Sequence, residues 1–129
     1  MIYAHTSALI KLITDEAESE ALRAWIAGLG EVPLATNRIG IVELKRVSAR
    51  LSAPALAAAV TLAQRLDKIE VTGSTLALAE QLPPAGLRTL DALHVASAAQ
   101  AADVTALLTY DTRMAEAAEL AGLPVATPE

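Results

Sequence analysis

Short apolar runs alternate along this chain with longer stretches whose apolar residues recur at helical spacing, and that alternation narrows the fold more than any other feature. The runs are Ile2–Ala4, Val32–Thr36, Ile69–Thr72, Ala106–Tyr110 and Leu123–Ala126. Short strands separated by a helix or helix pair have the connections that parallel pairing needs, so the pattern predicts a mainly parallel sheet of about five strands. Both faces of such a sheet must be covered, which gives a three-layer α/β/α arrangement. In sheets of this kind, ligands bind beyond the carboxyl ends of the strands. At 129 residues the whole chain, 1–129, fits one domain with room for a real core.

The helices are predicted from their own punctuation. "HTSALIKL" opens one over about Thr6–Ile13, with Thr6 and Ser7 able to cap it. Asp15 and Glu18 read as a capping box for the next, whose stripe is Ala21, Leu22, Trp25, Ile26 and Leu29, ending at Gly28 or Gly30. A third covers Arg38–Leu51, and Ser52-Ala53-Pro54 signals the start of a fourth. A short helix over Thr75–Leu82 stops at Pro83-Pro84. A long one spans about Arg88–Ala102, and a last one covers Thr112–Leu120 before Gly122.

Composition removes several function classes. Tyr3, Trp25 and Tyr110 are the only aromatic residues, which argues against a binder that stacks bases on an aromatic platform. A net charge of −5 gives no bulk attraction to nucleic acid, so an RNA partner would need a metal ion or a local basic patch. The absence of cysteine excludes disulfides and thiolate metal sites and suits a reducing cytoplasm. No signal peptide or membrane span is recognisable. A hydrophobic content of 53% leaves more apolar area than one small core hides, which predicts a homodimer.

Four positions carry candidate chemistry, each with an ordinary explanation beside it. Asp111 follows "LLTY" and precedes a helix, where Asp is a common N-cap. Asp91 lies in the first turns of the apolar "LRTLDALHVASAAQ", where a buried carboxylate needs a partner or a cation, or merely complements the helix dipole. Glu43 in "RIGIVELKRVSAR" shares a helix face with Arg46 and Arg50, opposite Ile41, Leu44 and Leu51. An ion pair with Arg46 is the plain reading there. His5 ends the first strand at the mouth of a helix. His94, one turn after Asp91, reads as a packed structural histidine, and the acidic run Asp15, Glu16, Glu18, Glu20 as a solvated helix start. No glycine-rich phosphate loop, zinc spacing or serine elbow is present.

Taken together and in order, "MIYAHTSALIKL", "VELKR", "LRTLDALHVASAAQ" and "LLTYDTRM" resemble the motifs of PIN-domain ribonucleases, with the VapC-type toxins of bacterial toxin–antitoxin pairs most similar. The resemblance spans Met1 to about Val125 and implies metal-assisted phosphodiester hydrolysis with Mg²⁺ or Mn²⁺. It implies that Glu43, Asp91 and Asp111 are three members of an acidic catalytic and metal-binding quartet. The fourth belongs to the opening strand, where the family has Asp and this chain has His5. Thr6 and Ser7 could hydrogen-bond a ligand or only cap their helix. Lys11, Arg46 and Arg88 are basic candidates for RNA phosphate contact, or ion-pair partners. The resemblance also implies an antitoxin partner and a homodimer.

Histidine removes one negative charge and one hard oxygen ligand, and imidazole suits Mn²⁺, Zn²⁺ or Ni²⁺ better than Mg²⁺. Weakened Mg²⁺ binding and impaired cleavage are therefore expected. One base change separates the two codons, so His5 reads either as a natural variant or as a change selected against a toxic activity. A PIN-like module that binds antitoxin or RNA without cleaving is the alternative. A phosphoacceptor receiver domain is less suitable: it needs an acidic pair after the first strand, an Asp after the third and a Lys after the fifth. This chain offers His5, Gly73-Ser74 and "VATPE" there.

Overall fold

The computed structural model describes residues 1–129, in which five strands and seven helices follow one another. They are β1 (Ile2–Ala4), α1 (Thr6–Lys11), α2 (Ser19–Gly28), β2 (Leu34–Asn37), α3 (Arg38–Leu51) and α4 (Ala53–Arg65). Then come β3 (Asp67–Ile69), α5 (Gly73–Ala79), α6 (Thr89–Gln100), β4 (Ala106–Leu108), α7 (Thr112–Leu120) and β5 (Val125–Ala126). The sheet order is β3-β2-β1-β4-β5, and every pairing is parallel. Tyr3 of the central strand stands opposite Ala35 on one side and Leu107 on the other.

Two cores follow from the two-residue period of the strands. Ile2 and Ala4 join Leu108 on one face, packed with Ala8, Leu9, Leu22, Leu44, Ala59 and Leu66 from α1 to the end of α4. Tyr3 and Leu107 point to the other face, against Val95 and Ala98 of α6 and Met114, Ala117 and Ala118 of α7. The α/β/α layering expected from the alternation is thus present, and α3, α4 and α7 begin where the sequence signals place them. Ser52 caps α4 by accepting the Ala55 N–H at 3.0 Å. No helix is long and apolar enough to cross a membrane.

Three expectations need correction. The second helix starts at Ser19, not at a box built on Asp15 and Glu18. The Glu18 carboxylate is drawn instead to Lys11 Nζ at 2.8 Å, Asp15 lies 3.5 Å from Arg23, and Ser19 Oγ ties the turn by accepting the Glu16 N–H. The third strand is Asp67–Ile69 rather than Ile69–Thr72, because Thr72 leaves the sheet to cap α5 in a reciprocal pair with Thr75. The buried stripe of α3 is Gly40, Leu44 and Ser48, while Leu51 is 54% exposed.

Gly40 sets that rotation. A Cβ there would lie 2.2 Å from Thr36 Oγ1 and 3.2 Å from His94 Cε1, so only glycine lets α3 sit this close to β2 and α6. Gly40→Ala should therefore destabilise the fold by about 1–3 kcal/mol, the usual cost of overpacking a core. Urea unfolding measures it, and adding Thr36→Ala should recover part of the loss. An unchanged midpoint in the single variant would show that the helix shifts freely.

Candidate functional site

The carboxyl end of β1 meets the carboxyl ends of β2 and β4, and the starts of α1, α3, α6 and α7 gather around it. His5 is the first residue beyond β1; its N–H donates to Leu108 O at 2.9 Å, and it is only 7% exposed. Its Nδ1 accepts the Ser7 N–H at 3.4 Å and lies 2.9 Å from the Ser7 hydroxyl and 3.2 Å from the Thr109 hydroxyl. His5 is thus the N-cap of α1, a role Asp also fills well. Nδ1 is an acceptor here, which puts the ring proton on Nε2. That nitrogen lies 3.8 Å from Asp91 Oδ1. Burial, then the neighbouring His94, lowers the His5 pKa to about 4, so the ring is neutral at pH 7.

Glu43 reaches the site from the second turn of α3 because Gly40 turns the helix toward His94. Its Oε1 accepts from the Thr6 hydroxyl at 3.1 Å and from His94 Nε2 at 2.5 Å. Burial pushes the Glu43 carboxyl up, but the bonds from His94 and Thr6 outweigh it and hold the carboxyl below its usual range. The ion pair with Arg46 that helical spacing offers does not form; Arg46 is exposed. His94 is buried and hydrogen-bonded, as expected of a structural histidine, yet its partner is a candidate catalytic carboxylate.

Asp111 caps α7, with Oδ1 accepting the Arg113 and Met114 N–H groups at 2.9 and 3.2 Å. Asp91, on the first turn of α6, makes no hydrogen bond to the protein. Burial, and then the charge of Asp111, push its carboxyl above the usual range, with Glu43 adding to the rise. Asp91 therefore feels both other carboxylates, while no three His, Asp or Glu side chains are disposed as a ready cation cage. The donor types suit a hard cation: Asp91 is uncommitted, and Asp111 and Glu43 each keep one oxygen free. His5 does not suit it, because Nε2 carries the proton in the tautomer that caps α1.

The remaining candidates separate. Ser7 Oγ accepts the Tyr110 N–H at 2.9 Å, so Ser7 and Thr6 serve the scaffold of the site. Lys11 turns away to Glu16 and Glu18 at 3.0 and 2.8 Å and lies 4.9 Å over the Tyr110 ring, an ion-pair role that leaves no free cation for phosphate. Arg88 is exposed at the start of α6 and lines a cleft of about 250 Å³ with Asp91, Arg113 and Glu116. Arg113 was not among the sequence candidates; its signal is its place two residues after Asp111, on the first turn of α7.

The family model described as the PIN domain matches residues 2–120. Ribonuclease VapC35 of Mycobacterium tuberculosis is 42% identical over 131 residues, covering 99% of this chain and 97% of the relative. Ribonuclease VapC47 of the same organism is 43% identical, with 99% and 97% covered. A toxin–antitoxin complex from Klebsiella pneumoniae superposes with a TM-score of 0.70 at 21% identity, over 100% of this chain and 98% of that one.

The position of His5 has a consequence for acid stability. Its folded pKa of about 4 lies below the ordinary 6.5, so the unfolded chain takes up a proton across this window and the folded chain does not. The stabilisation is complete above pH 6.5 and is lost as pH falls toward 4. His5→Asn keeps an oxygen to cap α1 and removes this titration. The advantage of the parent over the variant should shrink by roughly 3 kcal/mol between pH 7 and pH 4. Urea titrations at stepped pH measure it, and parallel pH profiles would contradict it.

Proposed function

The chain belongs to the PIN-domain family and, within it, to the VapC-type ribonuclease toxins, and on that premise we propose a metal-dependent cleavage of RNA at the carboxyl end of the sheet, impaired by His5. It is an endoribonuclease toxin by kinship with relatives named as ribonucleases. The observation that carries the metal dependence is the part-buried Asp91 carboxylate, which has no hydrogen-bond partner and stands with Asp111 and Glu43 at one sheet edge. Burial and then the charge of Asp111 raise it, and a bound cation offsets both. Asp91, Asp111 and the free oxygen of Glu43 would hold Mg²⁺ or Mn²⁺. Such an ion, when bound, offsets the phosphate charge and lowers the pKa of an attacking water.

The protein's own groups prepare the rest. Arg88 and Arg113 line the cleft beside Asp91 and would meet an RNA phosphate there, offsetting Asp91 and Glu116 on a chain of net charge −5. Thr6 and His94 hold Glu43 in place, and Ser7 and Thr109 hold the ring of His5. The neutral His5 ring contributes neither the charge nor the oxygen of a fourth carboxylate. A toxin–antitoxin complex among the structural neighbours supports an antitoxin as the protein partner. A homodimer is supported by the half-exposed Leu76 and Leu90 on the packed helices α5 and α6.

His5→Asp should raise Mg²⁺-dependent cleavage of a structured RNA by tenfold or more, and chelator should abolish it. Asp91→Asn should remove the gained activity at nearly constant shape. Mn²⁺ should do little for the parent chain, since Nε2 carries a proton; a strong Mn²⁺ rescue would make His5 a ligand after all. Full activity of the parent in Mg²⁺, with no gain from His5→Asp, would end the impairment reading. Antitoxin binding without cleavage by either protein would favour the non-cleaving module. For the homodimer, sedimentation at micromolar concentration without antitoxin should give a dimer, and Leu76→Glu/Leu90→Glu a monomer. A monomeric parent would remove that proposal.

A further inference from the structure

Beneath the acidic cluster runs a buried chain of polar groups that hydrolysis itself does not require. Tyr3, from the middle of β1, is fully buried, and its hydroxyl oxygen accepts the Asn37 N–H at 3.2 Å. The same hydroxyl lies 2.7 Å from His94 Nδ1, within donating distance. With Nδ1 accepting, the one ring proton of His94 lies on Nε2, which meets Glu43 Oε1 at 2.5 Å. Both rings have no exposure, and they meet edge to face with centroids 5.9 Å apart. Burying two imidazole nitrogens and a phenol is costly unless each is satisfied, and here the linear order satisfies all three.

Asn37 braces the two helices involved. Its Oδ1 accepts the Gly40 N–H at 2.7 Å at the start of α3, and its Nδ2 donates to Ser97 Oγ on α6 at 3.0 Å. Glu43 lies one turn after that first anchor and His94 one turn before the second.

We propose that Tyr3 and His94 are positioning residues for Glu43: the Tyr3 hydroxyl selects one tautomer of His94, and that tautomer pins one Glu43 oxygen, reserving the other for a ligand. The role of that ligand rests on the reading of the site above, but the tautomer selection does not. Without the Tyr3 proton, His94 is free to place its own proton on Nδ1, and two lone pairs then oppose each other across the His94–Glu43 contact.

Nitrogen-15 spectra of the metal-free full chain test the first link. His94 should show an unprotonated, hydrogen-bonded Nδ1 and a protonated, slowly exchanging Nε2. Tyr3→Phe should shift or average both signals, and Glu43→Gln should move Nε2 more than Nδ1. Cation affinity, by calorimetry with Mg²⁺ and Mn²⁺ on the His5→Asp background, tests the second link. Tyr3→Phe should weaken it by about tenfold, as loss of an orienting partner does. His94→Gln offers Glu43 an N–H that needs no tautomer, so adding Tyr3→Phe to it should cost little more. A His94 ring protonated on Nδ1 in the parent, or Tyr3→Phe signals and affinity unchanged, would overturn the proposal. So would a full tenfold loss from Tyr3→Phe in the presence of His94→Gln. If no form binds a cation, the metal-dependent reading fails, and the spectra alone decide whether Tyr3 sets His94.

Discussion

The burial of β1 on both faces and along both edges is the constraint on which the rest depends. Its three residues lie between β2 and β4 and under helices from two directions, with Tyr3 and Ala4 wholly removed from solvent. A strand so enclosed tolerates unpaired polar groups only where it ends. The side chains that end it, His5 and then Thr6 and Ser7, therefore point into the one region where β2, β4 and three further helix starts also release polar groups. Parallel order makes this inevitable, because every strand then delivers its last residue to the same edge.

Charge at that edge is unbalanced in a way the scaffold does not resolve. Glu43 has its opposing donors, and Asp111 has the backbone of α7. Asp91 has nothing within hydrogen-bond reach, and burial together with Asp111 raises its carboxyl. His5 supplies a neutral ring there, its Nδ1 held by the Ser7 N–H with the Ser7 and Thr109 hydroxyls around it. The ring caps α1 without adding negative charge to the edge.

The element pattern was legible because local rules and tertiary demands agree over most of the chain. Asn37 caps α3, Ser52 and Pro54 begin α4, and Asp111 caps α7, each doing what its residue type does in isolation. Where the two conflicted, the tertiary partner prevailed. Glu18 abandoned a cap for Lys11, Thr72 abandoned the sheet for α5, and Glu43 turned from Arg46 to His94. Helical spacing proposed the Arg46 pair correctly as a geometry, but spacing within one helix carries no information about a ring arriving from α6.

The sequence by itself determined the parallel α/β class and the family, and it nominated three carboxylates and His5 as candidates, because periodicity, turn chemistry and motif order are all local properties of the chain. Tertiary structure alone decided which nitrogen of His5 carries its proton, that Lys11 is spent on Glu16 and Glu18, that Arg113 joins Arg88 beside Asp91, and that Tyr3 reaches Glu43 through His94. Those facts rest on contacts between residues tens of positions apart. A hydrogen bond exists only when a donor and an acceptor are brought within about 3 Å, a distance that packing sets.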